Sequence, residues 1–316
     1  MNKTFSIDKH GDAERPSLMW FWGDLLTPED IVFQIEKFKE AGIDEFYVHP
    51  GHGDMGTNYL SDEYNKCIRL ACDTAERLGI RYSIYDEFAW SSGSCAGRIP
   101  AEFPEYRMTM LHWFFKQAMV AEPVEILFKG KVLAVQVQYA DKECRREDIT
   151  DKVKIEYFEN SQYGRVFWDN DKLVSTKIWV FCQCPLEGIS PTSQWSPYAT
   201  NKPGFTDTMN PAAVRKFFEL NHEVYKKTVG DRFGKSIKHI FTDETSLGDF
   251  GSETRRPYSS VLEEEFKKEH GYALSDNYIA ITGAFETDED LKVRHDYHKT
   301  LTRDRKSTRL NSSHTS

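Results

Sequence analysis

Hydrophobic and polar positions follow a regular rhythm over the first part of the chain. Three short apolar runs predict strands, at 17–22, 46–48 and 80–85. Between them, apolar residues recur every three to four positions, which predicts amphipathic helices. Thr27 and Ser61 are of the type that caps the start of a helix, and Gly42 and Gly79 are of the type that ends one. Strands and helices that alternate through short connections predict parallel strands joined by crossover helices.

The pattern becomes strand-like between Met108 and Cys184. Apolar runs separated by turn residues predict further strands, at 125–128, 132–139, 153–158 and 175–181. After a loop rich in Ser, Pro, Thr and Asn, the earlier rhythm resumes with a helix from Pro211, a strand over Ile237–Thr242 and two more helices. We therefore expect an antiparallel β module that is inserted into a parallel α/β unit.

About four βα units of this kind predict an α/β fold, a partial (β/α)8 TIM barrel with an inserted antiparallel β module. A complete barrel has twice as many strands, so we expect the chain to be the N-terminal part of a longer protein and to be inactive alone. A doubly wound open sheet is the alternative, but no G-x-G-x-x-G motif follows the first strand. The predicted bounds are 1–107 for barrel strands one to three, 108–190 for the β module, 191–305 for the barrel continuation and 306–316 for a non-native tail without apolar periodicity.

Charge and composition narrow the classes of partner. The formal net charge of −9 at pH 7 argues against a nucleic-acid surface, because such a surface needs a basic patch. No apolar run is long enough for a transmembrane helix, and the polar start from Met1 to His10 lacks the apolar segment of a signal peptide. The six cysteines lack metal-site spacing. These features predict a cytoplasmic protein with reduced thiols and no membrane partner, and they leave the oligomeric state open.

Polar and aromatic residues cluster where the predicted strands end. In parallel α/β folds the ligand lies beyond the C-terminal ends of the strands. Carboxylates at that edge suit acid–base chemistry on an acetal, and aromatic faces suit the apolar face of a sugar ring. We therefore expect a carbohydrate substrate. The predicted substrate-binding residues are Trp22, His49, His52, Asp86, Trp90 and Asp243.

Glu244 and Glu87 are the predicted catalytic pair. Each follows a predicted strand, where a carboxylic acid can protonate a leaving glycosidic oxygen if burial or neighbouring groups raise its pKa. Asp243 and Glu244 are adjacent and point to opposite sides of a strand, so only one of them enters the site easily. Carboxyl groups about 6.5–9.5 Å apart would suit inversion, and a spacing of about 5–5.5 Å would suit retention. As alternatives, Asp243 and Glu244 form only a helix-capping or salt-bridged pair on the next loop, or Glu87 only binds substrate hydroxyls and the base comes from the missing half of the barrel.

The histidines do not indicate a metal site. His49 and His52 lie near Asp54, but their spacing is not the i, i+4 spacing of a helical zinc motif, and hydrogen bonding to substrate fits better. No metal ligand is therefore predicted from the residues. Cys95 lies in a run of small residues without the G-x-S-x-G elbow of a nucleophile, and this run predicts a loop.

Several segments together resemble glycoside hydrolase family 106, the α-L-rhamnosidase group. The stretch from Arg15 through Trp20-Phe21-Trp22-Gly23 resembles the opening of that family, and Phe241-Thr242-Asp243-Glu244 resembles its acid-bearing strand end. Three further segments are similar to the loop after strand three and to later helices, at 85–97, 264–272 and 293–297. The resemblance covers about residues 15–302, apart from the inserted module.

The resemblance implies inverting hydrolysis of terminal α-L-rhamnosides. It also implies Glu244 as the general acid, Glu87 as a base or substrate ligand, and calcium near the site. Two other functions stay open on the residues alone. One is a carbohydrate-binding protein without turnover, and the other is a metal-dependent sugar isomerase or hydrolase that uses His49, His52 and the strand-end acids.

Overall fold

The computed structural model describes residues 17–186, 193–243, 245, 247, 252–285 and 287–313. The chain divides into two compact units. The first comprises Met1–Phe103, Gly188–Pro203 and Arg215–Thr245, and the second comprises Pro104–Glu187, Gly204–Val214 and Ser246–Ser316. The domain bounds drawn from the sequence stay a prediction.

The described residues form strands and helices in the following chain order. The strands are β1 Leu18–Trp22, β2 Glu45–Pro50, β3 Arg81–Tyr85, β4 Thr109–Ala118, β5 Val124–Lys129, β6 Lys131–Tyr139, β7 Arg146–Asp148, β8 Lys154–Tyr157, β9 Tyr163–Trp168, β10 Thr176–Pro185, β11 Ile240–Phe241 and β12 Arg255–Tyr258. The α-helices are α1 Pro28–Glu40, α2 Asp62–Leu78, α3 Arg98–Glu102, α4 Pro211–Phe217, α5 Glu223–Val229, α6 Ser260–His270, α7 Tyr278–Ile281 and α8 Asp288–Ser313. Short 3-10 turns occur at Pro104–Tyr106, Thr150–Lys152, Ala199–Asn201, Gly230–Arg232 and Ser275–Asn277, and a π turn at Phe218–His222.

Local sequence signals set the limits of the first two helices. The Thr27 hydroxyl accepts a hydrogen bond from the backbone N–H of Asp30 at 3.1 Å, and the Ser61 hydroxyl accepts one from Tyr64 at 3.2 Å. Gly79 ends α2 at φ +68°, a left-handed conformation that glycine adopts without steric cost. The predicted helix starts are confirmed, because a side-chain cap depends only on residues close in sequence.

The sheet of the first unit is parallel, with strand order β1-β2-β3-β11. Alternate side chains of a strand point to opposite faces of the sheet. One face packs against α1, α2 and α5 in a core that includes Trp20, Trp22, Phe46, Val48, Tyr82, Ile84, Ile31, Ile35, Ile68, Ala75 and Tyr225. On the opposite face the rings of Tyr47, Tyr85 and Phe241 stack, with centroids 5.3 Å apart for Tyr47 and Phe241.

Within the described residues this sheet is open, and the predicted partial (β/α)8 barrel is wrong. Closure requires every strand to pair on both sides. In the described residues β1 pairs only with β2 and β11 pairs only with β3, so the ladder has two ends. The predicted fourth strand, Ile237–Thr242, is reduced to Ile240–Phe241. With one parallel and two antiparallel sheets among the described residues, the fold is mixed α/β.

The second unit is built on two antiparallel sheets, with strand orders β12-β4-β10-β6-β7 and β5-β9-β8. The strands predicted at 125–128, 132–139, 153–158 and 175–181 are confirmed as β5, β6, β8 and β10. One core joins the two sheets and includes Phe128, Val135, Val166, Trp168 and Val180. A second core joins the larger sheet to α6, α7 and α8 and includes Trp113, Trp179, Leu262, Phe266, Ile279 and Tyr297.

Two loops of the first unit meet at a pair of glycines. A Cβ atom at Gly53 would lie 1.9 Å from the carbonyl oxygen of Gly23. A Cβ atom at Gly23 would lie 3.1 Å from the carbonyl carbon of His52. The loops after β1 and β2 are therefore in direct backbone contact, which only glycine at position 53 permits.

No disulfide joins the six cysteines, all of which lie within the described ranges. Burial raises the pKa of the Cys72 thiol to about 11. Over the part of the chain that the structure describes, no helix combines the length and the apolar character needed to cross a bilayer. The cytoplasmic compartment stays a prediction.

Candidate active site

Several predicted site residues lie at the C-terminal edge of the parallel sheet. The parallel pairing of β2 with β3, and of β3 with β11, brings the ends of these strands side by side. His49 lies at the end of β2, Asp86 and Glu87 directly follow β3, and Asp243 lies just after β11. Glu244 lies outside the described residues, so its role as general acid stays a prediction.

Glu87 is 1% exposed, and its carboxylate accepts hydrogen bonds from the loop that follows it. Both oxygens are engaged by backbone N–H groups. Oε1 accepts from Phe88 at 2.9 Å and Ala96 at 2.6 Å, and Oε2 accepts from Gly93 at 3.0 Å, Ser94 at 2.8 Å and Cys95 at 2.9 Å. The loop over residues 88–96 therefore wraps around one side chain.

The backbone of this loop is strained, and Glu87 offsets the strain. Ala89, Cys95 and Ala96 adopt positive φ angles of 63°, 52° and 58°. A non-glycine residue in this region costs about 1–2 kcal/mol. Such a conformation persists only where surrounding contacts hold it. The hydrogen bonds to Glu87 hold the two strained residues at the end of the loop directly.

The ionisation of Glu87 is balanced between two opposing effects. Burial raises the pKa of its carboxyl to about 7, and the backbone N–H donors of Ala96, Phe88 and Ser94 act in the opposite direction. These donors replace the water that would otherwise solvate the charge. A general base must also reach a substrate or a water molecule. Since both Glu87 oxygens face backbone donors, the base role stays a prediction and a role in holding the loop is the better supported.

Asp86 is buried and joins three segments of the first unit. Its Oδ1 accepts a hydrogen bond from the Ser92 hydroxyl at 2.6 Å. Its Oδ2 accepts from the Thr242 hydroxyl at 2.8 Å and lies 3.1 Å from Nε2 of His222. Its backbone carbonyl accepts from the Asn221 amide at 2.7 Å. Asp86 therefore ties the end of β3 to its following loop, to the end of β11 and to the π turn.

Ser92 fixes the backbone immediately before Glu244. Its N–H donates to the carbonyl of Asp243 at 2.9 Å, and its hydroxyl accepts from the N–H of Asp243 at 2.8 Å. The same hydroxyl donates to Asp86. The backbone of Asp243 is therefore held at both of its polar groups.

Asp243 lies between a tyrosine and a histidine. The Tyr85 hydroxyl is 2.8 Å from Oδ2 of Asp243 and also contacts the carbonyl oxygen of Ala89. Nε2 of His49 lies 4.0 Å from the same Oδ2. Burial, and then the hydrogen bond to Asp243, raise the pKa of Tyr85. Asp86 and Glu87 are buried, whereas the side chain of Asp243 is 20% exposed. Of these three strand-end carboxylates, Asp243 is therefore the one that solvent reaches.

His49 and His52 form a pair at the same edge. Nε2 of His52 lies 2.9 Å from Nδ1 of His49, so one ring donates and the other accepts. Burial, and then the neighbouring His52, lower the pKa of His49 to about 4, and burial also lowers the pKa of His52. The predicted pair is therefore a hydrogen-bonded, neutral unit near neutral pH.

We expect the His49 ring to titrate near pH 4 in the folded chain. Its folded pKa lies below the unfolded value of 6.5, so the unfolded state takes up a proton first as pH falls. Stability should fall as pH drops from about 6.5 through about 4, by at most about 3 kcal/mol from this group. NMR titration of the histidine ring protons measures this, with a His49→Gln variant to assign the signal. A His49 signal that titrates near 6.5 would contradict the structure.

The aromatic residues of the site divide between the two faces of β1. Trp22 is buried on the helix-covered face, edge-on to Trp20 at a centroid distance of 5.4 Å, and its role in substrate binding stays a prediction. Phe21 points the other way, is 53% exposed and lies 4.5 Å from the His52 ring. Trp90, in the loop around Glu87, is 47% exposed. Sequence reasoning missed Phe21, although the two-residue alternation of a strand carried the signal.

The described residues do not form a group that fits a calcium ion or a transition metal. No cluster of three or more His, Cys, Asp or Glu side chains within the described ranges is placed to hold a metal. Calcium takes six to eight oxygen ligands. The oxygens of Asp86 and Glu87 instead accept hydrogen bonds from protein donors.

Comparison with solved structures finds a protein of similar fold. The fold is similar to that of the solved rhamnosidase from Novosphingobium sp. PP1Y, with a TM-score of 0.55 at 11% sequence identity. The likeness covers 93% of this chain, and the chain spans 44% of the length of the rhamnosidase. No family model matches the sequence, and no curated protein matches it. At this identity the likeness establishes a rhamnosidase-like fold.

Proposed function

We propose that the edge formed by β2, β3 and β11 is the active site of a glycoside hydrolase. The observation that carries the proposal is the rigid frame at the end of β11. Asp243 is held through its backbone by Ser92 and through its carboxylate by Tyr85, and it remains partly exposed. Preorganised carboxylates beside exposed aromatic rings suit acid-catalysed cleavage of an acetal.

Glu244 acts as the general acid in this proposal. It follows Asp243 directly and is the next side chain after the frame. A carboxylic acid there would donate its proton to the glycosidic oxygen as the bond to the sugar breaks. Water would attack the anomeric carbon from the opposite face and pass its proton to a second carboxylate, which inverts the configuration at that carbon. Glu87 supports the reaction by holding the loop that carries Trp90, and its earlier assignment as base remains the alternative.

The proposed substrate contacts are made by side chains of the site that are exposed to solvent. Trp90 offers a ring face to the apolar side of a sugar. Asp243 and His52 offer polar atoms to its hydroxyl groups, and His49 acts through His52. Asp86, predicted as a substrate ligand, has both carboxylate oxygens engaged within the protein and acts as a positioning residue.

The substrate class rests on fold likeness and on the residues together. The structural relative is a rhamnosidase, and the segments that resemble glycoside hydrolase family 106 include the strand end at Phe241–Glu244. We therefore propose terminal α-L-rhamnosides as the substrate and membership of family 106. A non-catalytic carbohydrate-binding protein is the second candidate, because Asp86 and Glu87 both have their carboxylates engaged by protein donors.

The proposal predicts hydrolysis of an aryl α-L-rhamnoside. The 316-residue chain and the longest form that its gene encodes should be assayed side by side, with aryl glycosides of other sugars as controls. Proton NMR should find the β anomer of rhamnose as the first product, since inversion converts an α-glycoside to the β sugar. A folded protein that releases no sugar from any of these glycosides would overturn the enzyme proposal. Sugar binding without release would favour the carbohydrate-binding candidate.

A further inference from the structure

A pocket of about 360 Å³ lies beside the loop that follows β2. Its lining belongs entirely to the first unit and consists of Gly53, Asp54, Met55, Gly56, Thr57, Asn58, Phe88 and Trp195. The volume falls at the lower end of the range of about 300–1,000 Å³ that is usual for small-molecule sites. None of these side chains takes part in the frame around Asp243.

The lining combines an exposed ring with polar groups. Trp195 is 48% exposed, whereas Phe88 is buried. One carboxylate oxygen of Asp54 accepts the Gly56 N–H at 2.9 Å. Within the described residues, no protein hydrogen bond is found for the other Asp54 oxygen, the Asn58 amide or the Trp195 indole N–H. Donors and acceptors therefore lie beside an aromatic face without partners among the described residues.

The backbone at Trp195 is held by its neighbours. The backbone N–H of Trp195 donates to the Ser193 hydroxyl at 3.2 Å, and the next residue, Ser196, donates its hydroxyl to the Ala96 carbonyl at 2.6 Å. The N–H of Ala96 donates in turn to Glu87. The backbone segment that carries the ring is thus attached to the loop that Glu87 holds. A segment that is already ordered loses little conformational entropy when a ligand binds to it.

We propose that this pocket binds a neutral pyranose residue. The Trp195 face takes the apolar face of the sugar, and Asp54 and Asn58 bind its hydroxyl groups. The negative charge of Asp54 disfavours a uronic acid at the same place. The first residue that lines the pocket, Gly53, directly follows His52 in the loop after β2. In the context of the proposed hydrolase, on which this role rests, it is a second sugar subsite separate from the cleavage site.

Titration with methyl α-L-rhamnopyranoside tests the pocket, with the indole N–H signals of the seven tryptophans resolved by ¹⁵N NMR. The Trp195 signal, assigned with Trp195→Phe, should shift with a Kd of roughly 1 mM. The signal of Trp168, which is buried in the core of the second unit, serves as the internal control. Asp54→Ala should weaken binding at least about tenfold. D-galacturonate should bind more weakly than the neutral sugar, and Asp54→Asn should reduce this difference.

The outcomes separate this inference from the proposed function. A Trp195 signal that stays fixed at sugar concentrations well above the millimolar range would overturn the pocket, even if the protein hydrolyses rhamnosides. A Trp195 shift that depends on Asp54 in a protein without glycosidase activity would support the pocket and count against the enzyme. Binding by variants of Trp195 is followed through the backbone amide signals of Gly56 and Asn58. Trp195→Phe keeps a ring in place, so retention of binding by it and loss by Trp195→Ala supports stacking. Equal binding by the wild type and Trp195→Ala overturns it.

Discussion

Replacement of Glu87 by alanine is expected to destabilise the first unit by at least about 3 kcal/mol. The change leaves five backbone N–H groups without their acceptor, and a buried unsatisfied donor costs about 1–3 kcal/mol. It also releases the strained residues Cys95 and Ala96. Domains have a total stability of only about 5–15 kcal/mol, so the effect should be large. Urea unfolding followed by tryptophan fluorescence measures it.

Glu40→Ala is the matched control for this experiment. Glu40 is exposed and forms an ion pair with Lys37 at 2.7 Å, and loss of such a pair should change stability by less than about 1 kcal/mol. If Glu87→Ala costs no more than Glu40→Ala, the carboxylate does not hold the loop. Glu87→Gln separates holding from base catalysis. A stable glutamine variant with an altered pH–rate profile would favour the base, and a destabilised variant would favour the anchor.

Glu244→Gln is expected to lower kcat for an alkyl α-L-rhamnoside by about 10²–10⁴, the usual contribution of a general acid. KM should change little, because the proton is transferred only in the transition state. An aryl rhamnoside whose phenol leaves readily needs less protonation, so its rate should fall less. Steady-state kinetics on the two substrates measure both effects.

The leaving-group comparison gives this second prediction its specificity. A variant that is merely misfolded would lose the same factor on both substrates. Glu264→Gln, an exposed residue of α6, is the matched charge control and should keep the wild-type rate on both. A Glu244→Gln protein with full activity would falsify the assignment of the acid.

Elements set by local chemistry could be predicted from the sequence, and long-range pairing could not. Thr27 and Ser61 cap their helices as expected because each bonds to a residue three positions away. The barrel was wrong because the same alternation of strands and helices is compatible with an open four-stranded sheet. Sheet closure depends on pairing between distant strands, which hydrophobic periodicity does not encode.

In the candidate site, too, the features set by local sequence could be predicted and those set by long-range contacts could not. The strand-end rule correctly brought Asp86 close to the end of β11, where it accepts from Thr242. The ring of N–H donors around Glu87 depends on the path of the following loop, and small residues there indicated only a loop. The contributions of Ser92 and His222 depend on contacts between segments far apart in sequence, so no local pattern could have identified them.

For protein engineering, the backbone contact between Gly23 and Gly53 divides the loop after β2 into two parts. One part must keep its glycine, and in the other part the side chains can be replaced. Any side chain at position 53 would displace the loop as a whole, so libraries aimed at sugar specificity should keep both glycines. Asp54 and Asn58 are exposed and free of that constraint. Their randomisation should retune ligand preference while the frame around Asp243 keeps its geometry.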